Sequence, residues 1–527
     1  MSLLHNRLAI VVALALLIPS TSFGQTAGPQ YNDKEKKERA EIAQRPAVIQ
    51  EIDDAWQQKR REDMEFAFRV NSAGSGADWR TNPEWFNVWA KFGRLYDNPI
   101  LVNYVNTLGQ RLVPATSPNR YAFRLLLDPT PRAEALTTGT VYISTGLAAM
   151  MDSEAQLAYV LAHEIAHIEG NHEYSRLREE IIDKYHAQKK PSKLKSLVPI
   201  AAGMAGGGAL GGATGAGMGA LVGALVGQAM SRNKFEPTEW DVLYENQADA
   251  RALELLLDQS FDARLVPRMY ARLNSLTTRD TRVGLGFIGD KVRVEQRTTH
   301  VQNLLGGSLK ERVEKIKATD GLIESTAGFQ KLMAALKRDN GIIAMDYDLL
   351  PMAQENLEDA VKARSDDPRA QFYLGRLYST TGRTPEESQK AVVAFQTAMT
   401  YDKERRTYPD PRLAYALHLI AQPNADTQAT RDEIQAQLKE YVQVYQRQHG
   451  GALPDNMHVI YDYLLTTGDK SWSLSPGMII VNAGDGPSTN SSQPAATIAQ
   501  PPAATQTPVD STRRQGPVGR PTPAPKK

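Results

Sequence analysis

The sequence predicts an α+β protein that is mostly helical, with a small sheet in its first half and an α-helical repeat array in its second. Three observations carry this expectation. Helical periodicity runs through most of the chain, two short β-branched and aromatic segments stand at 123–127 and 140–144, and a two-helix repeat signature spans 371–402. At 527 residues and 41% hydrophobic content, the chain can bury two or three cores. Its 61 Lys and Arg balance 60 Asp and Glu, so no overall field draws it to nucleic acid or anionic lipid.

The first 24 residues read as a secretory signal peptide. Arg7 precedes an unbroken apolar run from Leu8 to Ile18, Pro19 breaks it, and Ser22 and Gly24 are the small residues a signal peptidase inspects. The run is too short for a permanent span. The chain has no cysteine, which excludes disulfides, thiolate ligands and a cysteine nucleophile and suits an oxidising compartment. A bacterial periplasm is therefore the expected location.

Residues 25–89 form an N-terminal helical region, because Lys34 to Arg69 is rich in Glu, Lys, Gln and Ala with Trp56, Phe66 and Phe68 interspersed. The pairs Asn82-Pro83 and Asn98-Pro99 mark turns, and Ile100 to Leu112 resumes helical spacing inside a second domain over 90–320. Its candidate strands are Phe123 to Leu127 and Thr140 to Ser144. The next helix is well signposted: Ser153 and Gln156 form a capping box, Leu157, Val160, Leu161, Ile165 and Ile168 make an apolar stripe, and Gly170 stands where a C-cap glycine belongs.

Within that domain, 196–231 carries no charge, and Gly203, Gly207, Gly211, Gly215, Gly219, Gly223 and Gly227 recur at every fourth position. On a helix this glycine zipper forms one stripe of close backbone approach, and the basic flank Lys189, Lys190, Lys193 and Lys195 suits anionic lipid. Membrane association through this segment stands against a disordered or internally packed insertion. Residues 340–450 carry the repeat array. Gln371 to Tyr378, then Ala391, Ala394, Phe395, Ala398 and Asp402, resemble a tetratricopeptide repeat with half-repeats on either side, a surface for protein partners. A C-terminal extension covers 451–482, and the Pro/Ala/Thr-rich tail 483–527 is expected to be disordered.

The chemistry lies on the capped helix. His163, Glu164 and His167 form an H-E-x-x-H motif that puts two imidazoles one turn apart on one face. Zinc takes neutral nitrogen ligands at about 2.0–2.1 Å, and positions i and i+4 are the helix neighbours that converge on one ion. With nine histidines in the chain, chance matches arise on the order of 0.01 times per sequence, so coincidence is a poor explanation. A third ligand is needed. His172 is one residue early and Glu173 replaces the histidine in the extended H-E-x-x-H-x-x-G-x-x-H pattern. Downstream, Glu245 and Asp249 share a helix face, where Glu245 can bind metal and Asp249 can orient a ligand imidazole. Two imidazoles and a carboxylate also serve manganese and iron.

The stretch Leu161 to Arg176, the Glu245 and Asp249 pair, and Arg132 to Ile143 resemble the HtpX/BepA-like gluzincin zinc metallopeptidases over roughly 90–320. With the exported N-terminus and C-terminal repeats, the chain is most similar to the periplasmic BepA-like branch. The resemblance implies a metallopeptidase domain with a small edge-strand sheet and one Zn2+ per chain on His163, His167 and Glu245. It also implies Glu164 as general base toward zinc-activated water and Asp249 behind a ligand imidazole. Thr140, Val141, Tyr142 and Ile143 would be the edge strand that adds an extended polypeptide substrate to the sheet. His300, after Thr299, resembles a histidine that caps the metal in relatives, although Val301 replaces the proline that follows there. Arg132 and Thr137 also depart from the Asn and Pro usual before the edge strand.

The function so implied is a zinc endopeptidase acting on misfolded or stalled envelope proteins, with the array as recruiting surface. The competing expectation is a chaperone or assembly factor for outer-membrane proteins whose zinc site is latent or capped. A weaker reading makes the glycine segment itself a membrane-perturbing element.

Overall fold

The computed structural model describes residues 29–73, 94–188, 239–279, 291–319, 321–382, 384–402, 407–467, 472–475 and 478–481. The signal segment 1–24, the glycine zipper 196–231 and the tail 483–527 lie outside the described residues. The chain divides into two compact units, 1–469 and 470–527. In the second, strand β5 (Trp472–Ser475) pairs antiparallel with β6 (Met478–Val481).

The first unit is α+β and mostly helical. Helix α1 (Asp33–Ala43) and helix α2 (Pro46–Ala73) replace the single N-terminal helix that composition suggested, because Pro46 has no N–H to continue α1 but suits the first turn of a new helix. Strand β1 (Arg94–Leu95), helix α3 (Pro99–Leu112), β2 (Ala122–Leu127), β3 (Ala133–Ala135) and β4 (Thr140–Ser144) follow. Next come α4 (Thr145–Ala149), α5 (Glu154–Glu169), α6 (His172–Gln188), α7 (Glu239–Asp258), α8 (Val266–Arg279), α9 (Lys291–Gly306) and α10 (Lys310–Thr319).

The sheet order is β1-β2-β4-β3, with β2 and β4 parallel and both outer strands antiparallel to their neighbours. Strand alternation gives it two faces. Phe123, Leu125, Val141 and Ile143 enter the main core with α3, α5, α7 and α8, whereas Leu126, Leu136 and Tyr142 pack with Val70 and Phe66 of α2. This topology corrects one expectation. Thr140 to Ile143 is an interior strand, its register fixed by β2 on one side and β3 on the other, so no backbone row is left for a substrate. Of the two outer strands, β3 is the one beside β4, and among the described residues no strand pairs with its other side.

Helix α5 is buried from Glu154 to Ala166, which explains how Leu, Val, Ile and Ala can ring it on several sides. Ser153 caps it by accepting from the Gln156 amide at 3.3 Å, but the Gln156 side chain accepts from Asp152 N at 2.7 Å instead of closing the box on Ser153. Gly170 is right-handed, and Asn171 takes the left-handed turn at φ 50°. Glycine is needed at 170 for space, since a Cβ there would lie 2.2 Å from His172 Nε2.

The array consists of α11 (Phe329–Asp346), α12 (Leu350–Ala363), α13 (Pro368–Thr381), α14 (Pro385–Asp402), α15 (Asp410–Ile420), α16 (Gln428–Gln448) and α17 (Met457–Thr466), with α11 packed on α12, α13 on α14 and α15 on α16. It begins before the expected boundary, because Phe329, Met333 and Leu336 of α11 join the main core. Thr145 donates to Asn340 at 2.8 Å, and Tyr96 to Asp339 at 2.7 Å, tying array to sheet domain. Among the described residues, no helix is long and apolar enough to cross a membrane.

Gly375 sits where α13 crosses α14, and a Cβ there would meet the Phe395 ring at 2.7 Å. Gly375→Leu gains about 0.8–1 kcal/mol of helix propensity but overpacks a tight crossing, which costs more than it returns. Overpacking of about 1–3 kcal/mol less that gain leaves an expected net loss of up to about 2 kcal/mol in urea unfolding; a raised midpoint would contradict this packing.

Candidate metal centre

The burial of α5 fixes the orientation of its polar residues. His163 and His167 lie one turn apart, their Nε2 atoms 3.0 Å from each other. Helix α7 packs along α5 and presents Glu245 and Asp249, also one turn apart. Glu245 Oε2 is 3.3 Å from His163 Nε2, and Oε1 is 3.5 Å from His167 Nε2. The ligand atoms of His163, His167 and Glu245 all lie within 4.8 Å of one another, a set that could hold a metal ion.

Asp249 is fully buried behind this cluster, and its Oδ1 lies 3.0 Å from His163 Nδ1. That contact fixes the His163 ring with Nε2 toward Glu245. The Tyr159 and Tyr270 hydroxyls donate to the same carboxylate oxygen at 2.6 and 3.2 Å. Burial pushes both phenols well above their usual pKa, so they remain donors.

Arg297, on α9, was not foreseen from sequence. It is fully buried, donates from Nε to Asp249 Oδ2 at 3.0 Å and from Nη2 to Asp249 Oδ1, and places Nη1 3.1 Å from Glu245 Oε2. Its partners sit on another helix, and the only hint was its place one turn before the Thr299 and His300 pair. His300 itself is not brought into the cluster. Its Nε2 donates to the Asn246 carbonyl of α7 at 3.1 Å.

The electrostatics follow from these contacts. Burial opposes ionisation of Asp249 and Glu245, yet Arg297 and the imidazoles outweigh it and hold both carboxyls well below their ordinary range. Burial and Arg297 disfavour protonation of His163, but the close carboxylates of Asp249 and Glu245 dominate and raise it to about 9. Burial takes His167 down to about 3, which leaves it a neutral lone-pair donor. Burial, with Glu245 and Glu134 nearby, raises Glu164 to about 7 against the pull of His163. The donor set therefore fits a divalent cation: a neutral imidazole, a second imidazole oriented by a carboxylate, and an anionic Glu245. Among the described residues, the buried Glu245 Oε2 also has no properly aligned hydrogen-bond donor.

A cavity of about 350 Å³ opens onto His163, Glu164, His167 and Glu245. One wall is the edge strand β3 with the following turn to Thr137, and Trp56 of α2 and Tyr174 of α6 lie on the rim, their rings in edge contact at 5.4 Å. Asp249, Arg297 and His300 do not line it.

Two antiparallel-packed helices carrying H-E-x-x-H and a downstream glutamate, beside an open strand edge, define a domain built around a metal site. Residues 104–319 match the model of peptidase family M48. It is similar to the beta-barrel assembly-enhancing protease of Yersinia pestis, 40% identical over 80 residues, and to that of Escherichia coli (strain K12), 36% over 80 residues. In both cases the match covers 15% of this chain and 16% of the relative. A protein described as a putative beta-barrel assembly-enhancing protease in Vibrio cholerae is 36% identical over 78 residues, 14% of this chain and 16% of that one. The aligned stretch thus spans about one sixth of the curated relatives.

Removing the buried cation tests the network. Arg297→Met leaves Asp249 buried without its main counter-charge, with an expected cost of about 3–5 kcal/mol in urea unfolding. In wild type, a carboxyl with a depressed folded pKa contributes stability above the unfolded value of about 3.9 and loses it as pH falls below that value. The variant should show a shallower acid limb. A loss under about 1 kcal/mol, with the acid limb unchanged, would contradict the arrangement.

Proposed function

We propose that the chain is a zinc-dependent endopeptidase, exported to the periplasm, that hydrolyses peptide bonds of misfolded or stalled envelope proteins. The observation that carries this reading is the convergence of His163, His167 and Glu245 beside Glu164 at the floor of a cavity walled by an open strand edge. The relatives are named as proteases that enhance β-barrel assembly, which supports envelope proteins as the substrate class. The apolar run 8–18 and the absence of cysteine support export.

His163, His167 and Glu245 would hold the zinc. When bound, the ion supplies Lewis acidity and lowers the pKa of a water toward about 7. Glu164 lines the cavity, and its carboxyl, raised to about 7, accepts a proton near neutral pH and returns it to the leaving amine. Asp249 keeps His163 Nδ1 protonated and so keeps Nε2 free to ligate. The outer row of β3 receives an extended chain by strand addition: Ala133 and Ala135 turn their backbone groups away from β4, since the bonds to β4 are made by Arg132 and Leu136. At the end of this row Thr137 N already donates to Asp63 of α2 at 2.8 Å, which sets where pairing stops.

The test is degradation of casein by the zinc-loaded full chain. Wild type and His300→Ala should cleave, and Glu164→Gln should lose about 10²–10⁴-fold while retaining zinc. If the loaded wild type cleaves nothing, the chaperone reading takes its place and the array becomes the working surface. Equal cleavage by Glu164→Gln would also overturn the assignment of the base.

A further inference from the structure

Strand β3 carries one side chain that neither the metal cluster nor the core uses. Ala133 and Ala135 face the main core, so Glu134 between them projects to the other face, the one shared with its cross-strand partner Tyr142 and covered by α2. It lines the cavity beside the metal ligands. Among the described residues it makes no hydrogen bond or ion pair, although it is partly buried.

The neighbouring cations are engaged elsewhere. Lys59 is paired with Asp63 at 2.6 Å, Arg132 with Asp128 at 2.7 Å, and Arg176 with Glu173 and Glu180, each at 2.7 Å. Burial raises the Glu134 carboxyl above its ordinary pKa, and Arg132 and Lys59 offset this only in part. A negative side chain in a cavity wall, short of a counter-charge, is a place where a ligand cation gains more than it would in water.

An antiparallel chain added to β3 brings such a group there. Glu134 turns its backbone toward β4, so the residue opposite it on the incoming chain forms a non-hydrogen-bonded pair, the closer of the two kinds. The two Cβ atoms of such a pair are about 4.5–5.5 Å apart and on the same face. A long basic side chain spans that distance with its aliphatic stem against the rim aromatics.

We propose that Glu134 is a specificity-determining residue, selecting polypeptides that carry a lysine or arginine opposite the middle of β3. This inference rests on the endopeptidase reading and names its preferred substrate class.

The test uses internally quenched peptides that differ at one position, with Arg, Gln or Glu walked through the residues flanking the cleaved bond. For the zinc-loaded full chain, kcat/KM for Arg should exceed that for Gln by about tenfold or more at one position. Glu134→Gln should bring the Arg-to-Gln ratio to about one, and Glu134→Lys should invert the preference toward Glu. Because each ratio is taken within one variant, a merely structural effect on total activity does not move it. If the ratio is the same in all three proteins, the inference is overturned and the endopeptidase reading stands. If wild type cleaves none of the peptides, that reading fails, and the inference is decided by fluorescence-anisotropy binding of the same peptides to Glu164→Gln and to Glu164→Gln combined with Glu134→Gln. A basic preference present only in the former supports it; equal binding of Arg and Gln peptides rejects it.

Discussion

The buried contact among Arg297, Asp249 and His163 is the constraint on which the site depends. Charges this deep cost several kcal/mol each to desolvate and are tolerated only when their hydrogen-bonding capacity is filled. Asp249, on α7, meets that condition through two phenols, one guanidinium and one imidazole drawn from α5, α8 and α9. The same contacts that satisfy Asp249 therefore fix the helices around it and set which nitrogen of His163 faces outward. With Glu164 ionised and His163 deprotonated to the neutral form a metal ligand needs, the three carboxylates Glu164, Glu245 and Asp249 set against Arg297 leave a deficit matched in size by one divalent cation. The sheet domain is electrostatically shaped around such an ion, with the apolar residues of α5 excluding water behind it.

Much of this was legible in the sequence where the signal is local. His163, Glu164 and His167 share one helix, as do Glu245 and Asp249, so spacing alone brings each group onto one face, and the structure brings the two groups together. Arg297 was not legible because every partner it has in the cluster is remote in sequence, and a buried arginine looks like any surface arginine until its neighbours are known. His300 stood out by likeness to a known element, yet its imidazole turns to the Asn246 carbonyl, a backbone acceptor with no side-chain signature.

The sheet shows a different limit. Thr140 to Ser144 has the stronger β signal because it is buried on both faces of an interior position, and Thr, Val, Tyr and Ile suit that place. The actual edge, Ala133–Ala135, is short and made of poor strand formers, features by which edge strands avoid unwanted pairing. Strand order is a property of the whole fold, so the resemblance placed the edge one strand away from where this sheet has it. Helix α2 adds to the edge what no local signal announces: Asp63 takes the last outward amide, at Thr137, and Trp56 forms part of the rim, so the N-terminal region helps shape the cavity.

The most direct test of the account is X-ray absorption at the zinc edge of the purified full chain, with metal content measured on the same sample. The account predicts one zinc per chain with two imidazole nitrogens and carboxylate oxygen in its first shell. His172 is the informative competitor, since its Nδ1 lies 3.1 Å from His167 Nδ1. A shell of three imidazoles, or a chain that retains no zinc after dialysis, would contradict the assignment of His163, His167 and Glu245 as the ligands.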